Sequence, residues 1–295
     1  MQALTYERAS TVAEAIALLK DGGPTARVLA GGTDVIVLAR ERRAEIDRFI
    51  DVKQIPETMA LSFDASDGLS VGAAVPCYRI YGDESVREHY PALIAATRVI
   101  GGTAVQGRAS LGGNLCNSSP AADSIPAMIA LGAVANIAGP DGERVVAVEQ
   151  FCTGPGQNVL ETGEFVVSIQ LPPPAAKSGA GWERFIPRNE MDIAVTNAAA
   201  SLEFEGETVV SARVAIGAVG PTPIFVEAAA EALIGSPLSE ATIDAAAQAS
   251  REAATPIADM RGSVKQRRHL AGLLTARTIR VAAEFVGITI ANGGA

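Results

Sequence analysis

The stretch RVLAGGTDVIVLARERR, Arg27–Arg43, changes character twice. Arg27 to Ala30 is an apolar run of strand length, GGTD is a turn sequence, and from Val35 the apolar residues continue as a helix through ERR. Strand, glycine turn, helix is the opening unit of an α/β layer, in which a helix covers one face of a sheet. Upstream, Thr11 and Glu14 form a T-x-x-E capping box, and Val12, Ile16 and Leu19 carry one apolar helix face until DGGP ends it.

Working outward, strands are expected at FIDV, LSVGAA, AVANIA, ERVVAV and EFVVSIQLP, with helices in YPALIAATRVI and SIPAMIALG. The run PPPAAKSGAG, Pro172 to Gly181, breaks the pattern: prolines do not continue a central strand and the glycines loosen the chain, so a linker is expected there. Beyond it, GWERFIPR, TNAAASLEFEG and ETVVSARVAIGAV read as an antiparallel meander. VEAAAEALIG, SEATIDAAAQASREA and SVKQRRHLAGLLTARTIRVAAEFVG then read as helices, the last two capped by serine.

Composition narrows the function. The chain has 295 residues, enough for two modest domains, with 48% hydrophobic and 19% charged residues, as a well-buried globular protein requires. Its 24 Lys and Arg against 33 Asp and Glu give a net charge of −9, which disfavours a nonspecific grip on nucleic acid. The longest apolar run, AMIALGAVANIAG, is far short of the roughly 20 residues of a membrane span. MQALTYERAS has Glu7 and Arg8 where a signal peptide has its apolar core, so a cytoplasmic protein is expected. Cys77, Cys116 and Cys152 form no C-x-x-C pair, and His89 and His269 are the only histidines, so neither a zinc site nor a cluster-binding pattern is present.

Two glycine pairs carry the chemistry. Gly31 and Gly32 follow the first of these strands, and Gly112 and Gly113 lie in ASLGGNLCNSSPAADSIPA, Ala109–Ala127. Without a Cβ, glycine lets backbone N–H groups approach an anion, and two such turns can clamp a pyrophosphate. In an acidic chain, backbone amides supply donors with no added charge, and Thr33, Ser110, Asn114 and Asn117 add short polar side chains. Taken alone, each pair reads first as a turn, and Asp123 as a helix cap. The G-x-G-x-x-G fingerprint is absent, so an ordinary dinucleotide fold is not indicated.

LAGGTDVIVLAR, GGTAVQGRASLGGNLCNSSPAADSIPAMIALGA, FCTGPGQNVLETGEFVVSIQLP, FIPRNEMDIAVTNAAA, AVGPTP and SVKQRRHLAGLLTARTI occur in that order. The set resembles the FAD-binding medium subunit of the molybdenum hydroxylases, the family of the xanthine dehydrogenase and carbon monoxide dehydrogenase flavoproteins. The resemblance spans nearly the whole chain. It implies an α+β fold: an FAD-binding domain over 1–175, made of two α/β subdomains (about 1–55 and 56–175), then a smaller domain of antiparallel sheet and helices over 180–288. It also implies partners, a large molybdopterin subunit and a small subunit with [2Fe-2S] clusters, assembled as a dimer of heterotrimers. Electrons would pass from those clusters through FAD to an external acceptor, with no catalytic acid, base or nucleophile on this chain.

Carried over by position, the resemblance makes Leu29, Ala30, Gly31, Gly32, Thr33, Asp34, Val35 and Ile36 the first pyrophosphate loop, and Ser110, Gly113, Asn114 and Asn117 the second. It gives Asp123 the ribityl or ribose hydroxyls, sets Val166 against the adenine side, and makes Arg184 the basic position near the flavin, in a register shared with Arg188. Asp192 and Ile193 would approach the isoalloxazine ring. Some relatives carry tyrosine where Ile193 stands here, so stacking becomes an aliphatic contact. The cysteine-rich insertion of the benzoyl-CoA-reducing relatives is missing. Two other readings stay open on the residues alone: a self-contained FAD-dependent reductase, and a nonenzymatic α/β binding module.

Overall fold

The computed structural model describes residues 4–290. The first sheet is parallel: β1 (Thr5–Arg8), β2 (Ala26–Leu29) and β3 (Arg48–Asp51) lie in the order β1-β3-β2. The Val12–Gly22 helix connects β1 toward β2, and Thr11 caps it, its Oγ1 accepting from the Glu14 N–H at 3.1 Å. The return half of the expected capping box is displaced by one residue. Glu14 accepts from the N–H and hydroxyl of Ser10, both at 2.8 Å, rather than from Thr11. The helix after GGTD is Val35–Arg40 and stops there, because Arg42 takes a left-handed conformation (φ 54°) that a helix cannot continue.

The second unit is built on an antiparallel sheet. Its strands are β4 (Leu61–Asp64), β5 (Gly68–Gly72), β6 (Val134–Gly139), β7 (Gly142–Ala147) and β10 (Phe165–Leu171), ordered β4-β5-β10-β6-β7. Between β7 and β10, β8 (Cys152–Gly154) and β9 (Gln157–Asn158) form a small ribbon. β4 escapes the sequence reading because it is short and alternates half-buried with exposed residues. The core beneath this sheet joins Leu69, Val71 and Ile169 to Leu93, Leu111, Leu115, Ile125 and Met128 from the covering helices, all buried.

The third unit is the expected meander: β11 (Ser178–Phe185), β12 (Thr196–Glu205), β13 (Thr208–Gly217) and a short β14 (Ile224–Phe225), all antiparallel. The Glu240–Ala253 and Val264–Phe285 helices cover it, and Ser239 and Ser263 cap them as expected. The expected linker is shorter than Pro172–Gly181, since β11 already begins at Ser178. Gly179 and Gly181 serve contact there. A Cβ on either would lie under 3.0 Å from a backbone carbonyl oxygen of the long helix, Ala282 or Thr278.

Small residues also let the second and third units close on each other. Ala92, Ala96, Ala127, Ala130, Ala180, Trp182 and Ala199 form one buried cluster across the junction. Arg213 on β13 pins it, donating from Nε to the Ile129 carbonyl at 2.9 Å, pairing with Glu149, and lying 4.4 Å over the Phe225 ring.

Two glycine substitutions test this packing. Gly179→Ala is expected to lower unfolding free energy by about 1–3 kcal/mol through overpacking. Gly82→Ala, at a position with open space and an ordinary φ, is expected to change it by less than about 0.5 kcal/mol. Denaturant midpoints at constant m-value measure both.

Candidate cofactor site

A cleft of about 690 Å³ runs between the first unit and the second, a size within the roughly 300–1,000 Å³ of small-molecule sites. Its walls include Ala30 to Val35 from the first glycine loop, Ser110, Gly112 to Asn114 and Asn117 from the second, and Gly156, Asn158, Leu160 to Val166 from the segment leading into β10.

The two glycine loops touch. A Cβ at Gly31 would lie under 3.0 Å from the Arg108 carbonyl oxygen, and Arg108 Nε donates to the Gly31 carbonyl at 3.2 Å. Gly32 has φ +83°, a conformation glycine adopts without strain, and a Cβ there would meet Ile36 Cδ1 at 2.7 Å. Among the described residues no hydrogen bond occupies the N–H of Gly31 or Gly32, which leaves both as donors for a ligand. Asp34 precedes the Val35–Arg40 helix without capping it; burial pushes its carboxyl up, against a hydrogen bond from Thr33.

The second loop is the start of the Leu111–Asn117 helix. Ser110 is buried and caps it, its Oγ accepting from the Gly113 N–H at 3.1 Å. The Ser110 oxygen is therefore partly spent on the fold, and its O–H is what remains for a ligand. Asn114 Oδ1 accepts from the Ser124 hydroxyl at 2.6 Å, which ties the cleft wall to the next helix. Asn158 donates to the Cys116 carbonyl at 3.0 Å and holds the opposite wall in place.

Asp123 stands one residue before Ser124. It occupies the N-cap position of the Ser124–Ala130 helix yet makes no capping bond. Its Oδ2 instead pairs with Arg184 Nη1 at 2.9 Å, with both side chains largely shielded from solvent. Oδ1 is buried and makes no well-formed hydrogen bond, with the Asn197 side chain beside the carboxylate. Burial pushes this carboxyl up to about 6, although the charge and hydrogen bond of Arg184, and then a bond from Asn197, pull the other way. Arg188 is exposed and pairs with Asp192 at 3.6 Å, so of the two basic positions Arg184 is the inward one.

Not every expected site residue lies in the cleft wall. Leu29 is buried beneath it, in the core with Ala39, Ile46 and Phe49. Ile36 is partly exposed beside Gly32, and Ile193 is 52% exposed on the 186–194 loop. Asp123 and Arg184 form an ion pair outside the cleft lining, next to Ser124, which bonds the cleft residue Asn114. Sequence reasoning passed over Arg27, Asn158 and the 160–164 segment, which line the cleft without a motif. Cys116 lines the cleft, and its thiol is pushed up to about 12, by burial first and then by nearby Cys152, so it stays protonated.

A nucleotide cofactor with a pyrophosphate and a polyol fits these features. The Gly31 and Gly32 amides, unbonded among the described residues, suit an anion, and the Asp123 carboxylate, with one oxygen not well bonded, suits a hydroxyl donor. Among the described residues there is no His, Cys, Asp and Glu group fit to hold a metal ion, and no helix long and apolar enough to cross a membrane.

Known proteins match along most of the chain. Residues 2–174 match the family model for the FAD binding domain in molybdopterin dehydrogenase, and residues 184–282 that for the CO dehydrogenase flavoprotein C-terminal domain. The xanthine dehydrogenase FAD-binding subunit of Escherichia coli O157:H7 is 31% identical over 284 residues, covering 96% of this chain and 97% of that protein. The carbon monoxide dehydrogenase medium chain of Afipia carboxidovorans is 28% identical over 274 residues, 93% and 94% of the two chains. Among solved structures, CO dehydrogenase from Oligotropha carboxidovorans superposes with a TM-score of 0.91 at 28% identity, over 96% of this chain and 98% of that one. Quinoline 2-oxidoreductase from Pseudomonas putida 86 does so with a TM-score of 0.88 at 32% identity, over the same shares.

The Asp123 carboxyl gives a pH signature. Its folded value of about 6 lies above the ordinary 3.8, so the native state binds the proton more tightly. Stability from this group is present below pH 3.8 and lost as pH rises through about 6, a change on the order of 3 kcal/mol. Unfolding free energies of the flavin-free protein between pH 4 and 6.5 should therefore fall more steeply for wild type than for Asp123→Asn. Parallel curves would contradict it.

Proposed function

The chain belongs to the FAD-binding subunits of the molybdopterin dehydrogenases, and from that premise we propose how its residues serve an electron relay. It is an FAD-containing oxidoreductase subunit of a molybdenum hydroxylase, with the molybdenum and iron–sulfur centres on other subunits. When bound, FAD supplies a carrier that accepts electrons singly and gives them up as a pair.

The roles of this chain's own residues follow from where they stand. The amides of Gly31 and Gly32, with Thr33 beside them, receive the negative charge of the pyrophosphate from one side. Ser110, Asn114 and Asn117 receive it from the other, where Gly113, its N–H bonded to Ser110, has no side chain to block the approach. Val166 at the foot of β10 offers an apolar wall to the adenine side. Asp123 accepts a polyol hydroxyl at Oδ1, while Arg184 keeps its carboxylate oriented. Asp192 and Ile193 flank the redox ring on the exposed 186–194 loop, Ile193 with an aliphatic side chain. No residue is needed as a general base, nucleophile or proton donor for electron passage.

We divide the chain functionally into 1–175, with parts 1–55 and 56–175, and 180–288. The remaining parts of the complex are a large molybdopterin subunit and a small [2Fe-2S] subunit, joined as a dimer of heterotrimers in the cytoplasm. The facing of two amide-rich loops across one cleft is the observation that carries this reading.

Co-purification from the native host, with absorption spectroscopy and metal analysis, tests it: flavin, iron and molybdenum in one assembly are expected. Full turnover by the isolated chain would instead mark a self-contained reductase. Gly31→Ala is expected to abolish retained flavin, read at the visible flavin band, because its Cβ has no room beside Arg108. Asp123→Ala should weaken FAD by about 10- to 100-fold, the worth of a charged hydrogen bond. Unchanged flavin content in both variants would remove the assignment.

A further inference from the structure

The first glycine loop is held from behind by a cation outside the cleft. Lys53 follows β3 by two residues and reaches across to the end of β2. Its ammonium donates to Asp51 Oδ1 at 2.8 Å, to the Ala30 carbonyl at 2.9 Å and to the Leu29 carbonyl at 3.4 Å. An ammonium has three N–H donors. All three are therefore spent on the protein, and Lys53 does not belong to the cleft wall. It is no ligand.

We infer that Lys53 is a positioning residue for the pyrophosphate loop, holding the Leu29 and Ala30 carbonyls behind the loop so that the following amides face the cofactor. This rests on the FAD reading above and names the part of the chain that prepares that site. The reason is the planar trans peptide, in which the C=O of one residue and the N–H of the next point in opposite directions. With the Ala30 carbonyl drawn to Lys53, the Gly31 N–H is aimed to the other side, where Ala30, Gly31 and Gly32 line the cleft. Arg108 treats the next peptide in the same way. Its Nε takes the Gly31 carbonyl at 3.2 Å and turns the Gly32 N–H away from itself. A glycine pair has little intrinsic preference for one orientation, so an external clamp is needed to keep both donors presented.

Lys53 is itself braced. Asp51 is buried at the end of β3, and its Oδ1 also accepts the Lys53 backbone N–H at 2.9 Å. Its Oδ2 accepts from the Tyr6 hydroxyl at 2.5 Å, across the neighbouring strand β1. Burial alone would raise the Asp51 carboxyl, but the bonds from Lys53 and Tyr6 outweigh it and hold it below the usual carboxylate range. All three strands of the parallel sheet thus converge on one ammonium.

The test uses flavin-free protein titrated with FAD. Lys53→Met should weaken FAD by about 10- to 100-fold, the loss expected for one charge-assisted hydrogen bond. At saturating FAD, its two ³¹P resonances should move while the visible flavin band stays in place. Lys53→Arg, which keeps a charged donor, should recover most of the affinity. A merely structural lysine would lower the melting temperature without moving the phosphorus signals. If Lys53→Met does not fold, Tyr6→Phe, which loosens Asp51 without touching the loop, carries the same ³¹P and affinity readouts. FAD affinity within about twofold of wild type, or unmoved ³¹P resonances, overturns the inference while the FAD reading stands. Wild-type protein that takes up no FAD overturns that reading and the inference with it.

Discussion

The cleft depends on how closely the backbone at Gly31 approaches the backbone at Arg108. No side chain fits between them, and that approach brings a loop from the parallel sheet against a loop from the antiparallel one. Each sheet alone supplies one wall of the cleft. Together they enclose it, and the Arg108 side chain closes the seam by bonding the Gly31 carbonyl. The constraint is steric before it is electrostatic: amides can surround a phosphate only if nothing larger than hydrogen protrudes from the chain at that point.

The second constraint is a buried charge. Asp123 comes from the unit of the antiparallel sheet and Arg184 from β11 of the third unit, so their ion pair crosses the junction. Buried pairs gain little stability once desolvation is counted, and the raised Asp123 carboxyl is the visible sign of that cost. What the pair secures is placement. The apolar side of the junction is made almost wholly of alanines, which permits close contact with little side-chain specificity. Arg213 and the Asp123–Arg184 pair supply the specificity.

Much of this was legible in the sequence. GGTD and LGGN announced turns because glycine leaves a local signature, and Ser239 and Ser263 announced helix starts because capping is local as well. The family resemblance then joined the two loops, which no spacing rule connects. What escaped was long-range. Gly179 and Gly181 read as linker because their reason, the passing backbone of the Val264–Phe285 helix, lies about a hundred residues away. Lys53 carried no motif at all. Its role exists only once β3 pairs with β2 and brings residue 53 beside residue 30. Asp123 read as a cap by position, whereas Arg184, distant in sequence, claims its carboxylate.

The strand order of the antiparallel sheet has a consequence for how the molecule is made. β10 is the last of that sheet's strands to leave the ribosome, yet it sits at the centre, between β5 and β6. Until residues 165–171 emerge, β4 with β5 and β6 with β7 are two separate hairpins, neither able to bury the face that becomes the core. Val166, at the start of this strand, is also part of the cleft wall. The sheet and this part of the cleft wall thus wait on the same strand, through contacts of long sequence separation. A nascent chain halted before β10 has both glycine loops and lacks the Phe165–Val166 wall beside them.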